Sequence, residues 1–170
     1  MMSVYLDFNA TTPVDPKVAE YMYKVLTENF GNPSSLHAYG TESRKIIDQA
    51  RKNLATLLHC EPYEILFTSG GTESNNLAIK GIALQNKSRG RHIITSEIEH
   101  PAVLEVCKSL EKEGFDISYL PPDSKGFIDP LLVEENINDQ TILISIMHAN
   151  NEIGTIQDIE KISRIAHEHG

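Results

Sequence analysis

Tryptophan is absent from this sequence, and cysteine occurs only twice, at Cys60 and Cys107. The two lie far apart and neither is part of a CxxC pair, so a disulfide framework is not expected. They read as reduced, structural thiols of a cytoplasmic protein, each within an apolar-periodic helical stretch where a cysteine is normally buried. Basic side chains are also scarce, 15 against 24 acidic ones, for a formal net charge of -9. There is no basic stripe, no interleaving of basic and aromatic residues and no zinc-finger spacing, which argues against nucleic acid as a partner. The acidic residues are scattered rather than blocked, as on a solvated surface. No apolar run approaches the roughly 20 residues needed to cross a bilayer. Residues 1–9 lack the charged-then-apolar pattern of a signal peptide. His167 and His169 are two apart on an expected helix and share no face, and His37 has no partner at metal-ligand spacing, so no metal is expected.

What remains is an ordinary globular composition, 40% apolar and 23% charged, in a chain long enough to bury one core. Asp15 followed by Pro16 reads as an N-cap with proline at the first helical position. Val18, Met22, Val25 and Leu26 share one face of the helix that follows. After the Gly31-Asn32-Pro33-Ser34-Ser35 loop, a second helix is expected over about residues 41–59, with Ile46, Ile47, Ala50, Leu54, Leu57 and Leu58 inward. From there the pattern changes to short apolar strands at 65–68, 92–95, 117–120 and 141–146, alternating with helices. The last helix carries Ile159, Ile162 and Ile165. Such alternation predicts an α/β fold, with a mostly parallel sheet covered by helices on both faces and preceded by a helical arm. Ligands of such sheets bind at the edge formed by the strand carboxyl ends. The final helix closes on Gly170, where the alternation leads one to expect a further strand, so part of the sheet is expected to lie outside this chain.

Three polar segments follow strands at that edge. Thr68-Ser69-Gly70-Gly71-Thr72-Glu73-Ser74-Asn75-Asn76 combines a glycine turn with a helix start. Free amide groups there favour an anion, and Thr72 and Ser74 offer hydroxyls. The glycine spacing fits neither the Walker loop nor the dinucleotide fingerprint. A tight strand-to-helix connection without a ligand explains the same residues equally well. Glu97-Ile98-Glu99-His100-Pro101 places His100 where it can stack on a ring or move a proton, although a capping histidine is the commoner use of such a position. Met147-His148-Ala149-Asn150-Asn151-Glu152-Ile153-Gly154 sets two neutral amides at a strand end; a plain polar loop has the same composition.

These blocks carry a resemblance. Tyr5-Leu6-Asp7-Phe8-Asn9-Ala10-Thr11-Thr12-Pro13, Phe30-Gly31-Asn32-Pro33-Ser34-Ser35, Phe67 through Asn76, Glu99-His100-Pro101-Ala102-Val103 and His148 through Gly154 closely resemble cysteine desulfurases of the NifS/IscS type. Those are class V aminotransferases among the pyridoxal 5'-phosphate (PLP) enzymes, and the match runs in order along essentially the whole chain. Asn150-Asn151-Glu152 resembles the iron–sulfur-assembly branch rather than the selenocysteine-lyase-like one. The resemblance implies that Gly71 and Thr72 hold the PLP phosphate. It implies that His100 stacks on the pyridine ring and assists proton transfer, and that Asn151 contacts the ring near its phenolic oxygen. It further implies a homodimer that takes sulfur from L-cysteine, leaving alanine and an enzyme persulfide for an iron–sulfur scaffold or a tRNA-thiolating protein.

By the same resemblance, residues 1–60 form an arm with helices and residues 61–170 the first part of the PLP-binding large domain. The rest of that domain and a small carboxyl-terminal domain would be absent. The cofactor-anchoring lysine, the persulfide cysteine and the carboxylate-binding arginine are then expected beyond Gly170; Lys80, Cys60 and Cys107 do not match those positions. The chain by itself is therefore expected to be inactive. Other readings are a non-catalytic fragment or interaction module, or a related aminotransferase or selenocysteine lyase.

Overall fold

The computed structural model describes residues 3–170, which divide into two compact units, residues 3–67 and 68–170. In the first unit, helix α1 spans Pro16–Glu28 and starts as expected, with the Asp15 carboxylate accepting from the Lys17 amide at 2.8 Å. Helix α2 spans Ala38–Leu58, beginning earlier than the apolar periodicity indicates because the His37 ring caps it by accepting from the Gly40 amide. The helix closes on His59 in the left-handed region (φ 54°), so Cys60 lies just past it and half-buried, rather than within it. A single 3-10 turn, Pro62–Glu64, follows.

The apolar stripes of these helices stay largely uncovered. Ile46 and Val25 are half-buried, but Ile47, Ala50, Leu54, Leu57 and Leu58, expected inward, are exposed. Only Gly40, Ser43 and Ala55 of the two helices are buried. Periodicity finds the face of a helix, but burial needs an apolar partner.

The second unit holds the core. After α3 (Gly71–Gln85) the order is β1 (His92–Ser96), α4 (Pro101–Lys112), β2 (Asp116–Leu120), α5 (Pro130–Asn136), β3 (Thr141–Ser145) and α6 (Ile159–Glu168). The three strands form a parallel sheet in the order β2-β1-β3. β1 is buried along its whole length, and its alternating side chains serve both faces. Ile93 packs with Ile79 and Ala83 of α3 and with Val103, Val106, Cys107 and Leu110 of α4. Ile94 packs on the other face with Leu120, Ile128, Val133 of α5 and Ile162 of α6. The period of two along a strand makes this division, and it yields three layers. Fully burying an isoleucine of this kind contributes about 1.5–3 kcal/mol.

One expected strand is not formed. Residues 65–68 have no strand assignment, and the Ile65 carbonyl is taken by the Arg51 side chain at 3.2 Å. An apolar run becomes a strand only when a neighbour satisfies its backbone groups, and among the described residues this run has none. The remaining strands lie within a residue of their expected positions.

Candidate functional site

The carboxyl ends of β1 and β3 are hydrogen-bonded neighbours, with Thr95 opposite Ser145 as the last pair of their ladder. The helices that follow them leave to opposite faces, α4 to one core and α6 to the other. A divergence of this kind opens a crevice at the sheet edge, the usual ligand position in open α/β sheets. All the candidate residues belong to this second unit.

Gly71 is the first residue of α3, and its N-cap, Gly70, supplies no side-chain hydrogen bond. A Cβ built at Gly70 or Gly71 would meet nothing within 4 Å, so the start of the helix faces open space. Uncapped amides at the positive end of a helix form a donor set suited to an anion. The acidic group and one hydroxyl group nearest those amides are already engaged within the turn. The Glu73 carboxylate accepts from the Ser69 amide at 2.7 Å and the Ser69 hydroxyl at 2.5 Å, bonds that hold its carboxyl below its ordinary pKa. The Ser74 hydroxyl, read from sequence as a second phosphate donor, is turned back onto Thr68 Oγ1 at 2.7 Å and the Gly70 carbonyl at 3.2 Å. Thr72 therefore remains the hydroxyl available there.

His100 is the N-cap of α4, with Pro101 at the first helical position. Its Nδ1 accepts from the Ala102 amide at 3.0 Å, so the neutral ring carries its proton on Nε2. The ring is exposed. Thr72 and His100 line one concavity where the starts of α3 and α4 meet, along with Asn76, Lys80, Pro101, Ala102, Glu105 and Val106. Asn151 does not line that concavity. It is exposed on the loop after β3, and its Nδ2 donates to Glu152 Oε1 at 3.0 Å.

Two residues of this edge have a place that the sequence reading did not assign. Asn150, 8% exposed, organises the loop that presents Asn151. Its Oδ1 accepts from the amides of Glu152 at 2.9 Å and Ile153 at 3.1 Å, and its carbonyl accepts from Gly154 at 2.9 Å. The loop closes there at a left-handed Gly154 (φ 76°), a conformation that suits glycine. Glu99, 6% exposed, accepts on Oε1 from the Ser96 hydroxyl at 2.9 Å and the Met147 amide at 2.6 Å. Burial raises its carboxyl pKa, opposed by those two bonds. The available sequence signal was a second acidic residue placed directly before a capping histidine, but nothing local indicates that it is buried.

A family model described as aminotransferase class-V matches residues 4–170. The cysteine desulfurase IscS of Dictyoglomus turgidum is 55% identical over 166 residues, which cover 98% of this chain and 42% of that protein. That of Shewanella oneidensis is 51% identical over 172 residues, covering 99% of this chain and 43% of the relative. Among solved structures, one described as a NifS-like protein superposes with a TM-score of 0.95 at 45% identity, over 98% of this chain and 46% of its own. Another, SspA in complex with cysteine, gives 0.94 at 46% identity, over 98% and 48%. The chain thus spans less than half the length of these relatives. It belongs to the class V aminotransferase family, on the side of that family formed by the PLP-dependent IscS and NifS-like cysteine desulfurases.

Proposed function

We propose that this chain supplies the phosphate-cradling part of a PLP-dependent cysteine desulfurase. The whole enzyme takes sulfur from L-cysteine, leaving L-alanine and an enzyme persulfide destined for an iron–sulfur scaffold or another sulfur acceptor. The observation that carries this reading is the meeting of two helix starts around Thr72 and His100, in a chain about half identical to IscS proteins. When bound, PLP supplies an electron-withdrawing ring that stabilises charge on the substrate carbon.

The residues present fit that group. Gly71 and Thr72 hold its phosphate with uncapped amides and a hydroxyl, at the end of a helix whose dipole favours a dianion. His100 offers the face of its imidazole to the ring. Its neutral ring presents Nε2–H as a hydrogen-bond donor, whereas taking up a second proton on Nδ1 would break the bond that caps α4. Asn151 serves a ring oxygen with a neutral amide, adding no charge that would compete with the phosphate. We place the enzyme in the cytoplasm as a homodimer. The domain division at residue 60 and the further segments of the enzyme belong to the same proposal.

The test is the affinity of the chain for PLP against pyridoxal, which lacks the phosphate, followed by quenching of intrinsic tyrosine fluorescence. Loss of the phosphate is expected to weaken binding at least fiftyfold, and Thr72→Ala to weaken PLP binding about tenfold, as for a lost hydrogen bond to a charged group. The isolated chain is expected to release no sulfide from L-cysteine. Equal affinity for PLP and pyridoxal, untouched by Thr72→Ala, would leave the non-catalytic reading in its place.

A further inference from the structure

The β1–β3 ladder ends at Thr95 and Ser145, where the Thr95 hydroxyl also donates to the Ser145 carbonyl at 2.9 Å. Beyond that point the two chains must separate, since one enters α4 and the other a loop leading to α6. Side chains take over from the ladder there. Glu99 reaches from the β1 side to the Met147 amide at 2.6 Å while holding the Ser96 hydroxyl at 2.9 Å. Asn150 reaches back from the β3 side and donates to the Ile98 carbonyl at 3.1 Å. The two bonds cross between the same loops in opposite directions, and both residues are buried. Each loop carries one proposed site residue immediately next to its strap, His100 after Glu99 and Asn151 after Asn150.

We infer that Glu99 is a positioning residue, the main strap of a reciprocal clasp that sets where His100 and Asn151 stand relative to each other. This inference rests on the proposed reading of those two residues as cofactor contacts. Glu99 acts through its acceptor oxygen. Glutamine in its place keeps an Oε1 for both donors, whereas alanine leaves the Met147 amide without a partner at a half-buried position. Ser96→Ala removes one of the two bonds and leaves the link between the strands.

The experiment compares Glu99→Gln, Glu99→Ala and Ser96→Ala in the full chain with Leu110→Ala. That last variant is a core control on α4, chosen to lower the melting temperature without touching the clasp. Two readouts need no cofactor: hydrogen exchange at the Met147 amide, and the NMR positions of the Asn151 side-chain amide and His100 ring. Glu99→Ala is expected to speed Met147 exchange at least tenfold and to shift both His100 and Asn151. Glu99→Gln and Ser96→Ala are expected to stay within about threefold of wild type in exchange, with small shifts. Leu110→Ala is expected to leave the Asn151 signals in place.

PLP affinity is then measured for the same set and should fall about tenfold in Glu99→Ala only. If the exchange and NMR signals of Glu99→Ala match wild type, or if Leu110→Ala moves Asn151 equally, the clasp is refuted. If Glu99→Ala does not fold, the decision falls to Glu99→Gln, whose loss of Met147 protection refutes the acceptor role. Wild-type chain that shows the clasp signals and no phosphate-dependent PLP binding overturns the functional proposal and leaves the clasp standing.

Discussion

Cys107 shows how position alters the chemistry of one residue type. It is fully buried in the α3–α4 core, and that burial, reinforced by the carboxylates of Glu99 and Glu111, pushes its thiol up to about 11. At pH 8 only about one molecule in a thousand then carries the thiolate, the form that reacts. Cys60 is half-buried beyond the end of α2. Alkylation of the native chain at pH 8 is therefore expected to label Cys60 alone, with Cys107 labelled only after denaturation; mass spectrometry of the peptides checks this. The linkage has a definite sign. Because the folded thiol titrates above the unfolded one, its stabilising share is complete below pH 9 and is lost as pH rises toward 11. The same scale shows where sequence reading stopped. Gly71, Thr72, His100 and Asn151 were legible as residues of turns and helix starts because such features announce themselves locally. Glu99 and Asn150 were not, since their partners, Met147 and Ile98, are about fifty residues away in the chain.

Among the elements, the helices were the most legible, and the reason is local chemistry. Asp15-Pro16, His100-Pro101 and Asp129-Pro130 each place a capping acceptor before a proline, and each opens a helix. The sequence reading used the first of these pairs, named capping as the commoner use of the second, and passed over the third. The strands depend on neighbours, and His92 at the start of β1 shows how. It is 2% exposed, and its ring joins all three strands. Nδ1 meets Thr141 Oγ1 at 2.7 Å and Asn138 Nδ2 at 3.2 Å, while Nε2 meets Ser118 Oγ at 2.9 Å. Asn138 Nδ2 can only donate, so Nδ1 is an acceptor that also takes the Thr141 hydroxyl proton, and Nε2–H donates to Ser118. A second ring proton would face two donors. Burial lowers the His92 pKa, opposed by Asp116. A folded pKa below the unfolded one gives stability that is present above about pH 6.5 and lost as pH falls through the folded value. Thermal melts from pH 8 to pH 5 are expected to show this loss and to show less of it in His92→Gln. The variant itself should cost about 1–3 kcal/mol at pH 8 through an incomplete bond set.

At the scale of the whole molecule, stability is unevenly distributed. The core on both faces of the sheet lies within residues 68–170. Residues 3–67 leave Leu6, Leu26, Leu57, Leu58 and Tyr63 more than half exposed. With few buried apolar contacts, amides of α1 and α2 are expected to exchange at least tenfold faster than those of β1 and α4. Hydrogen exchange read by mass spectrometry checks this, and equal protection in both regions would contradict it. The uncovered surface is also expected to bind a hydrophobic dye in the native chain.

The sequence by itself determined the α/β class, the helix starts, the positions of three strands and the blocks that mark the family, because each depends on residues close together in the chain. Tertiary structure decided which apolar faces are covered, whether the run at 65–68 becomes a strand, and which of two similar cysteines is inert. It also turned Glu99 and Asn150 into a link between two loops. Those outcomes depend on partners distant in sequence, and burial and hydrogen bonding between such partners exist only once the chain has folded.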